Sequence, residues 1–156
     1  MSLRLERLSG GTAGPISLLH GACFPEDPWD AEAIEQITGI PGFFGQIGWA
    51  NEVPVGFALA LALGEEAEIV SLGVLRDYRR RGIGLTILDA ICGEARLRGA
   101  DRVVLEVASD NTAARTLYTG RGFTVVGCRP NYYRRAERWV DALILRVRLP
   151  AASTET

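Results

Sequence analysis

Residues 79–91 read Arg79-Arg80-Arg81-Gly82-Ile83-Gly84-Leu85-Thr86-Ile87-Leu88-Asp89-Ala90-Ile91. Ile83, Ile87, Leu88 and Ile91, continued by Ala95, recur at helical spacing, and Gly99 supplies a C-terminal stop. Residues 68–74, just upstream, read as a strand. Residues 102–107, just downstream, are nearly all apolar, as a central strand covered on both faces would be. Strand, helix, strand in this order is a βαβ unit, whose crossover is expected to be right-handed.

Working outward, residues 43–49 and 55–63 read as a hairpin turning at Asn51-Glu52, and residues 68–74 complete a three-strand meander. Further upstream, residues 3–8 alternate like a strand that Ser9-Gly10-Gly11 breaks, and residues 12–22 form a short helix. After the proline-rich turn Phe24-Pro25-Glu26-Asp27-Pro28-Trp29, Asp30 opens a helix that Gly39 and Pro41 end. Downstream of the central strand, Asp110 is placed to cap a helix running to about Thr119, and residues 123–128 and 139–149 close the chain as strands. The expected fold is therefore α/β or α+β: one mixed, mostly antiparallel sheet of about seven strands with helices on both faces.

The 156 residues fit one domain over 1–150 with a short tail at 151–156, and 47% hydrophobic against 23% charged is ordinary globular composition. The longest apolar run, residues 53–63, has eleven residues and contains Pro54 and Gly56, too short for a bilayer. The N-terminus has no uninterrupted apolar stretch of the signal-peptide kind. Cys23, Cys92 and Cys128 are odd in number and share no CxxC spacing, which fits reduced thiols in a cytoplasm. With one histidine, His20, and no ligand cluster, no metal is expected.

Net charge is −2, too small to imply direct nucleic-acid binding, but its distribution is uneven. Residues 1–75 carry two arginines and ten acids; residues 76–156 carry fifteen arginines and nine acids. An anionic cofactor on the second half and a basic substrate near the first would fit this split, as would a surface that is simply decorated unevenly.

The loop before the central helix is where such an anion would sit. A strand-to-helix turn exposes unpaired backbone N–H groups at the positive end of the helix dipole. Gly82 and Gly84 allow close approach and unusual backbone angles, Arg79, Arg80 and Arg81 add positive charge, and Arg76 is near. A pyrophosphate is the natural guest. The lysine and Ser/Thr of a P-loop are missing, and so is the G-x-G-x-x-G spacing of a dinucleotide fold.

Arg79-Arg80-Arg81-Gly82-Ile83-Gly84 resembles the Q/R-x-x-G-x-G/A acetyl-CoA loop of the GNAT acetyltransferase superfamily, and the element order matches that fold along nearly the whole chain. Residues 111–123, Asn111-Thr112-Ala113-Ala114-Arg115-Thr116-Leu117-Tyr118-Thr119-Gly120-Arg121-Gly122-Phe123, are similar to its N-x-x-A-x-x-L-Y-x-x-x-G-F stretch. Within the superfamily, Arg129-Pro130-Asn131-Tyr132-Tyr133, Asp141-Ala142-Leu143-Ile144 and Phe24-Pro25…Trp29 resemble the RimI-type N-terminal acetyltransferases. The Pro–Trp segment is longer here than the compact Phe-Pro-Trp of those proteins.

The resemblance implies acetyl transfer from acetyl-CoA to a protein N-terminal amine, with a ribosomal protein as acceptor. Glu106 interrupts Val103-Val104-Leu105-Glu106-Val107, where a buried carboxylate is costly unless used or paired. It is read as the catalytic base or as an arginine's partner, and the resemblance favours the base. Tyr118 is read as the catalytic acid or as a core residue. Cofactor contacts are expected from Leu72, Gly73 and Val74, from residues 79–85, and from Asn111 and Tyr118; Asn111, at a helix start, is read as serving either the helix backbone as a cap or the ligand. A strand bulge at Gly73 would free the Val74 N–H for the oxyanion. His20 is placed on a surface helix and Cys128 inside a strand; Tyr132 and Tyr133 line a peptide groove or sit in a loop. Two other readings stay open: a GNAT enzyme for a small amine or lysine side chain, and a non-catalytic acyl-CoA-binding module.

Overall fold

The apolar spacing of the central helix is realised in the computed structural model, which describes residues 2–8 and 13–151. The Ser9-Gly10-Gly11 break and residues 152–156 of the tail lie outside the described residues. The elements are β1 (Leu3–Arg7), α1 (Ala13–Cys23), α2 (Ala31–Thr38), β2 (Phe43–Ala50), β3 (Val53–Leu63), β4 (Glu66–Val74), α3 (Ile83–Leu97), β5 (Arg102–Ala108), α4 (Thr112–Gly120), β6 (Thr124–Arg135) and β7 (Arg138–Arg148). A single 3₁₀ turn, Arg76–Tyr78, joins β4 to the arginine loop. The seven strands form one sheet in the order β1-β2-β3-β4-β5-β7-β6. Among the described residues only β4 and β5 pair in parallel, and α3 is the helical crossover that joins them.

Helices cover both faces, as expected. Ile87, Leu88 and Ile91 of α3 are fully buried against Val103, Leu105, Val107 and Leu145, with Tyr118 of α4 and Phe123 in the same cluster. Ile16 and Leu19 of α1 and Ile34 of α2 pack on Ile47, Phe57 and Leu59 from the other side. Each such side chain withdrawn from water contributes roughly 1.5–3 kcal/mol. Local chemistry agrees with packing. Asp30 Oδ1 accepts from the Ala33 N–H at 2.9 Å to cap α2, Asn51 and Glu52 both take positive φ at the β2–β3 turn, and Gly99 at φ 97° ends α3.

Four local expectations are corrected. Asn111, not Asp110, caps α4: its Oδ1 accepts from the Ala114 N–H at 3.2 Å. The helix runs through Gly120, and the left-handed residue beyond it is Gly122 at φ 102°. β6 does not stop at Cys128 but continues to Arg135, so Tyr132 and Tyr133 lie in a long β6–β7 hairpin, and Cys128 is exposed. Finally, β5 is covered on one face only. α1 and α2 lie over β2, β3 and β4, so the face of β5 that carries Val104 and Glu106 stays open.

Candidate active site

The arginine loop divides its labour among its residues. Arg79 turns back, and its Nε donates to the Val74 carbonyl at 3.0 Å, tying the loop to the end of β4. Arg80 sits at φ 64°, a left-handed conformation that costs a non-glycine residue roughly 1–2 kcal/mol. The Arg81 guanidinium lies 5.2 Å from the centre of the Tyr78 ring. Gly82 is the N-terminal cap of α3 at φ 79° and supplies no side chain to the first-turn N–H groups of Ile83, Gly84 and Leu85. A Cβ there would meet nothing within 4 Å, so its need for glycine is conformational. Gly84 differs from expectation. It is regular helix, and a Cβ would come within 3.3 Å of Leu117 Cδ2, so this glycine lets α4 approach α3.

Below the loop, β4 and β5 part company. Their parallel ladder ends at the pair Ile69–Leu105. The irregularity expected at Gly73 lies earlier. Leu59 faces Ser71 while Ala60 faces Ile69, leaving Val70 as the extra residue, and Gly73 pairs regularly with Phe57. Gly73 is small for another reason. A Cβ there would lie 2.9 Å from Cys23 Cβ and 3.0 Å from Phe57 Cε1, so the end of α1 rests directly on it. Leu75 donates to the Val55 carbonyl at 2.8 Å. Strand alternation therefore turns the Val74 and Leu72 N–H groups away from β3, toward the gap.

Glu106 is the first β5 residue past the last paired one. Its side chain is 29% exposed, so it points onto the open sheet face and not into the core as its apolar neighbours suggest. Tyr133 donates its hydroxyl to Oε1 at 3.2 Å, and Arg129 Nε lies 3.8 Å from Oε2. Glu106 is thus partly accessible and also paired, with Arg129 as the arginine partner that the sequence reading allowed. A hollow of about 140 Å³ opens here, bounded by Glu68, Val104, Leu105, Glu106, Arg129 and Ile144. Glu68 was missed in the sequence, although its place opposite Val104 in the ladder sets it on the Glu106 face.

Tyr118 is 6% exposed and packs at 5.6 Å from the Phe123 ring. Burial pushes its hydroxyl far above the ordinary tyrosine range, so it stays protonated at any working pH. A larger hollow of about 400 Å³ lies between Arg7, Gln46 and the C-terminal half of α3, remote from the arginine loop. Its Glu94 is engaged by Arg98 at 2.9 Å and Arg7 at 3.5 Å.

His20 is buried, not on a surface. Its ring stacks on Trp29 at 4.5 Å, and its Nδ1 accepts the Trp29 N–H at 3.1 Å, which pins the proline-rich turn to α1. Burial lowers its pKa below the usual 6.5, with Asp27 opposing weakly. The unfolded chain therefore takes up the proton first as pH falls. The stabilisation is complete above about pH 6.5 and declines as pH drops below it. Thermal unfolding between pH 8 and 5.5 should show this decline, and His20→Gln should flatten it.

The acetyltransferase (GNAT) family model matches residues 16–123, and the chain belongs to that family. The chain is 34% identical over 96 residues to the ribosomal protein bS18-alanine N-acetyltransferase of Salmonella typhimurium, a match covering 62% of this chain and 65% of that protein. It is 35% identical over 113 residues to the N-alpha-acetyltransferase RimI of Mycobacterium tuberculosis, covering 70% of each. The match thus spans just under two thirds of the length of the Salmonella relative. The crystal structure of the Escherichia coli ribosomal-protein-S18-alanine N-acetyltransferase superposes with a TM-score of 0.89 over 99% of both chains, at 24% identity, which establishes the fold. Among the described residues, no helix is long and apolar enough to cross a membrane.

Proposed function

We propose that this protein transfers the acetyl group of acetyl-CoA to the N-terminal α-amino group of a protein, with a ribosomal protein beginning in alanine as the favoured acceptor. The observation that carries this reading is the position of Glu106. It stands at the first β5 residue beyond the β4–β5 ladder, on the open face, at the level where the strands separate. The names of the Salmonella and Mycobacterium relatives support the acceptor class.

In this reading the diphosphate of CoA lies on the N–H groups of Ile83, Gly84 and Leu85, with Arg80, Arg81 and Gly82 around it, and Arg79 holding the loop to Val74. The pantetheine arm runs between β4 and β5, past Leu72, Gly73 and Val74, with Asn111 and Tyr118 on the α4 side. The incoming α-amine, with a pKa of about 7.7–8.0, loses its proton to Glu106. Its nitrogen forms a bond to the thioester carbon, and the oxyanion accepts the Val74 N–H. The carbon–sulfur bond then breaks, and Tyr118 passes a proton to the departing CoA thiolate while taking the second proton from the nitrogen, so the buried phenol ends protonated. That thiolate leaves tolerably well unaided, since its pKa is near the 8.5 of cysteine. Tyr118→Phe is therefore expected to lower kcat less than Glu106→Gln does, measured at saturating acetyl-CoA.

Release of CoA thiol with a short peptide bearing a free N-terminal alanine tests the whole reading. Release with small polyamines and none with peptides moves the assignment to a small-amine enzyme. Calorimetric binding of CoA without turnover on any amine moves it to a binding module.

A further inference from the structure

The tyrosine tract and the Asp141 segment are far from Glu106 in sequence, and the acetyl-transfer scheme above gives them no task. The hairpin geometry connects them. On β7, Glu106 is paired with Ile144, whereas Tyr133 is paired with Val140, four residues further along. A straight β6 would carry the Tyr133 ring past the site. Instead, Arg129 faces Ala142 and Tyr133 faces Val140, so four steps on β6 match two on β7 and the strand bends. The extra residues are held by a specific anchor. Asn131 takes φ 51°, and its N–H donates to Asp141 Oδ1 at 2.9 Å.

We propose that Tyr133 is a positioning residue for Glu106, aimed at it by the β6 bulge that Asp141 anchors. The hydroxyl donates to Oε1, Arg129 approaches Oε2, and together they hold the carboxylate at the opening of the β4–β5 gap. The hairpin end is fastened independently. Asp110 receives Arg138 at 3.1 Å and Arg135 at 3.4 Å, and the Arg135 guanidinium covers the Tyr133 ring at 5.4 Å. Burial first, and then the Glu106 charge, push the Tyr133 hydroxyl up to about 12, so it remains a proton donor across the neutral range. Tyr133 does not touch the reacting atoms. Its contribution is to remove rotamer freedom from the group that does, and small misplacements of a base are costly in rate.

This inference rests on Glu106 being the base, and its test separates the two. Tyr133→Phe should lower kcat roughly tenfold with the KM for acetyl-CoA unchanged. In a Glu106→Gln background the same substitution should cost less than about twofold, since there is no carboxylate left to orient. Asp141→Ala should act in the same direction, whereas Asp141→Asn, which can still accept from Asn131, should recover most of the rate. In crystals of Tyr133→Phe, the Glu106 carboxylate should leave its place or split between rotamers. An undiminished tenfold cost in the Glu106→Gln background, or a Glu106 that stays put in those crystals, overturns the proposal. If the unmodified protein transfers no acetyl group, the reading of its function fails, and the crystallographic comparison still decides the role of Tyr133.

Discussion

Glu106→Gln is expected to lower kcat by about 10²–10⁴ at saturating acetyl-CoA, the range typical of removing a general base. The substitution keeps the shape of the side chain and can still accept the Tyr133 hydroxyl, so the local arrangement survives. Because the side chain is exposed on an open face, the melting temperature should change by no more than a degree or two. CoA affinity, measured by calorimetry, should stay within about twofold, since the diphosphate is read as resting on the first-turn N–H groups of α3 and not on β5. A loss of rate with a matching loss of stability would assign Glu106 a structural role. An unchanged rate would remove it from the mechanism and return the choice to other groups on the same face, with Glu68 the first to try.

The second large effect is expected at Gly73→Ala. The new Cβ would stand 2.9 Å from Cys23 Cβ and 3.0 Å from both Cys23 Sγ and Phe57 Cε1. None of these is the far end of a flexible side chain, because Phe57 is fully buried and Cys23 closes α1. Overpacking of this kind costs about 1–3 kcal/mol, which for a chain of this length is a fall of roughly 2–12 °C in Tm. The same displacement moves α1 away from the end of β4, so the KM for the acceptor should rise with it. Calorimetric melting, together with acceptor titration at fixed acetyl-CoA, measures both. Cys23→Gly in the same chain should restore part of the stability, because it removes the nearest clashing atom. A Gly73→Ala protein with unchanged Tm would show that α1 can yield there at no cost.

How far the site could be read in advance depended on whether each signal was local. The arginine loop announces itself within a dozen residues. Gly82 must be glycine because its φ is 79°, and that requirement acts on one residue alone. Glu106 stands out because it breaks an apolar strand. Tyr118 is picked out by the resemblance of residues 111–123 to the family's stretch, since its helical position alone fits a core residue equally well. Tyr133 could not be singled out in this way, because its reach to Glu106 depends on a bulge whose anchor, Asp141, lies on the neighbouring strand. His20 was assigned to a surface for a similar reason. The short helix that carries it has little amphipathic pattern, and only the return of Trp29 over its ring buries it. Gly73 and Gly84 are small because of atoms that arrive from α1 and α4, which no spacing rule within β4 or α3 reports.

The order of strands and helices, the parallel crossover, the anion-ready helix start and the two titratable candidates were determined by the sequence alone, since periodicity, capping and glycine placement act over a few consecutive residues. The exposure of Glu106, its grip by Tyr133 and Arg129, the position of the bulge at Val70 and the burial of His20 were decided by the tertiary structure. Those features depend on which face of a strand a helix happens to cover and on how two strands register. That information exists only once distant segments have packed.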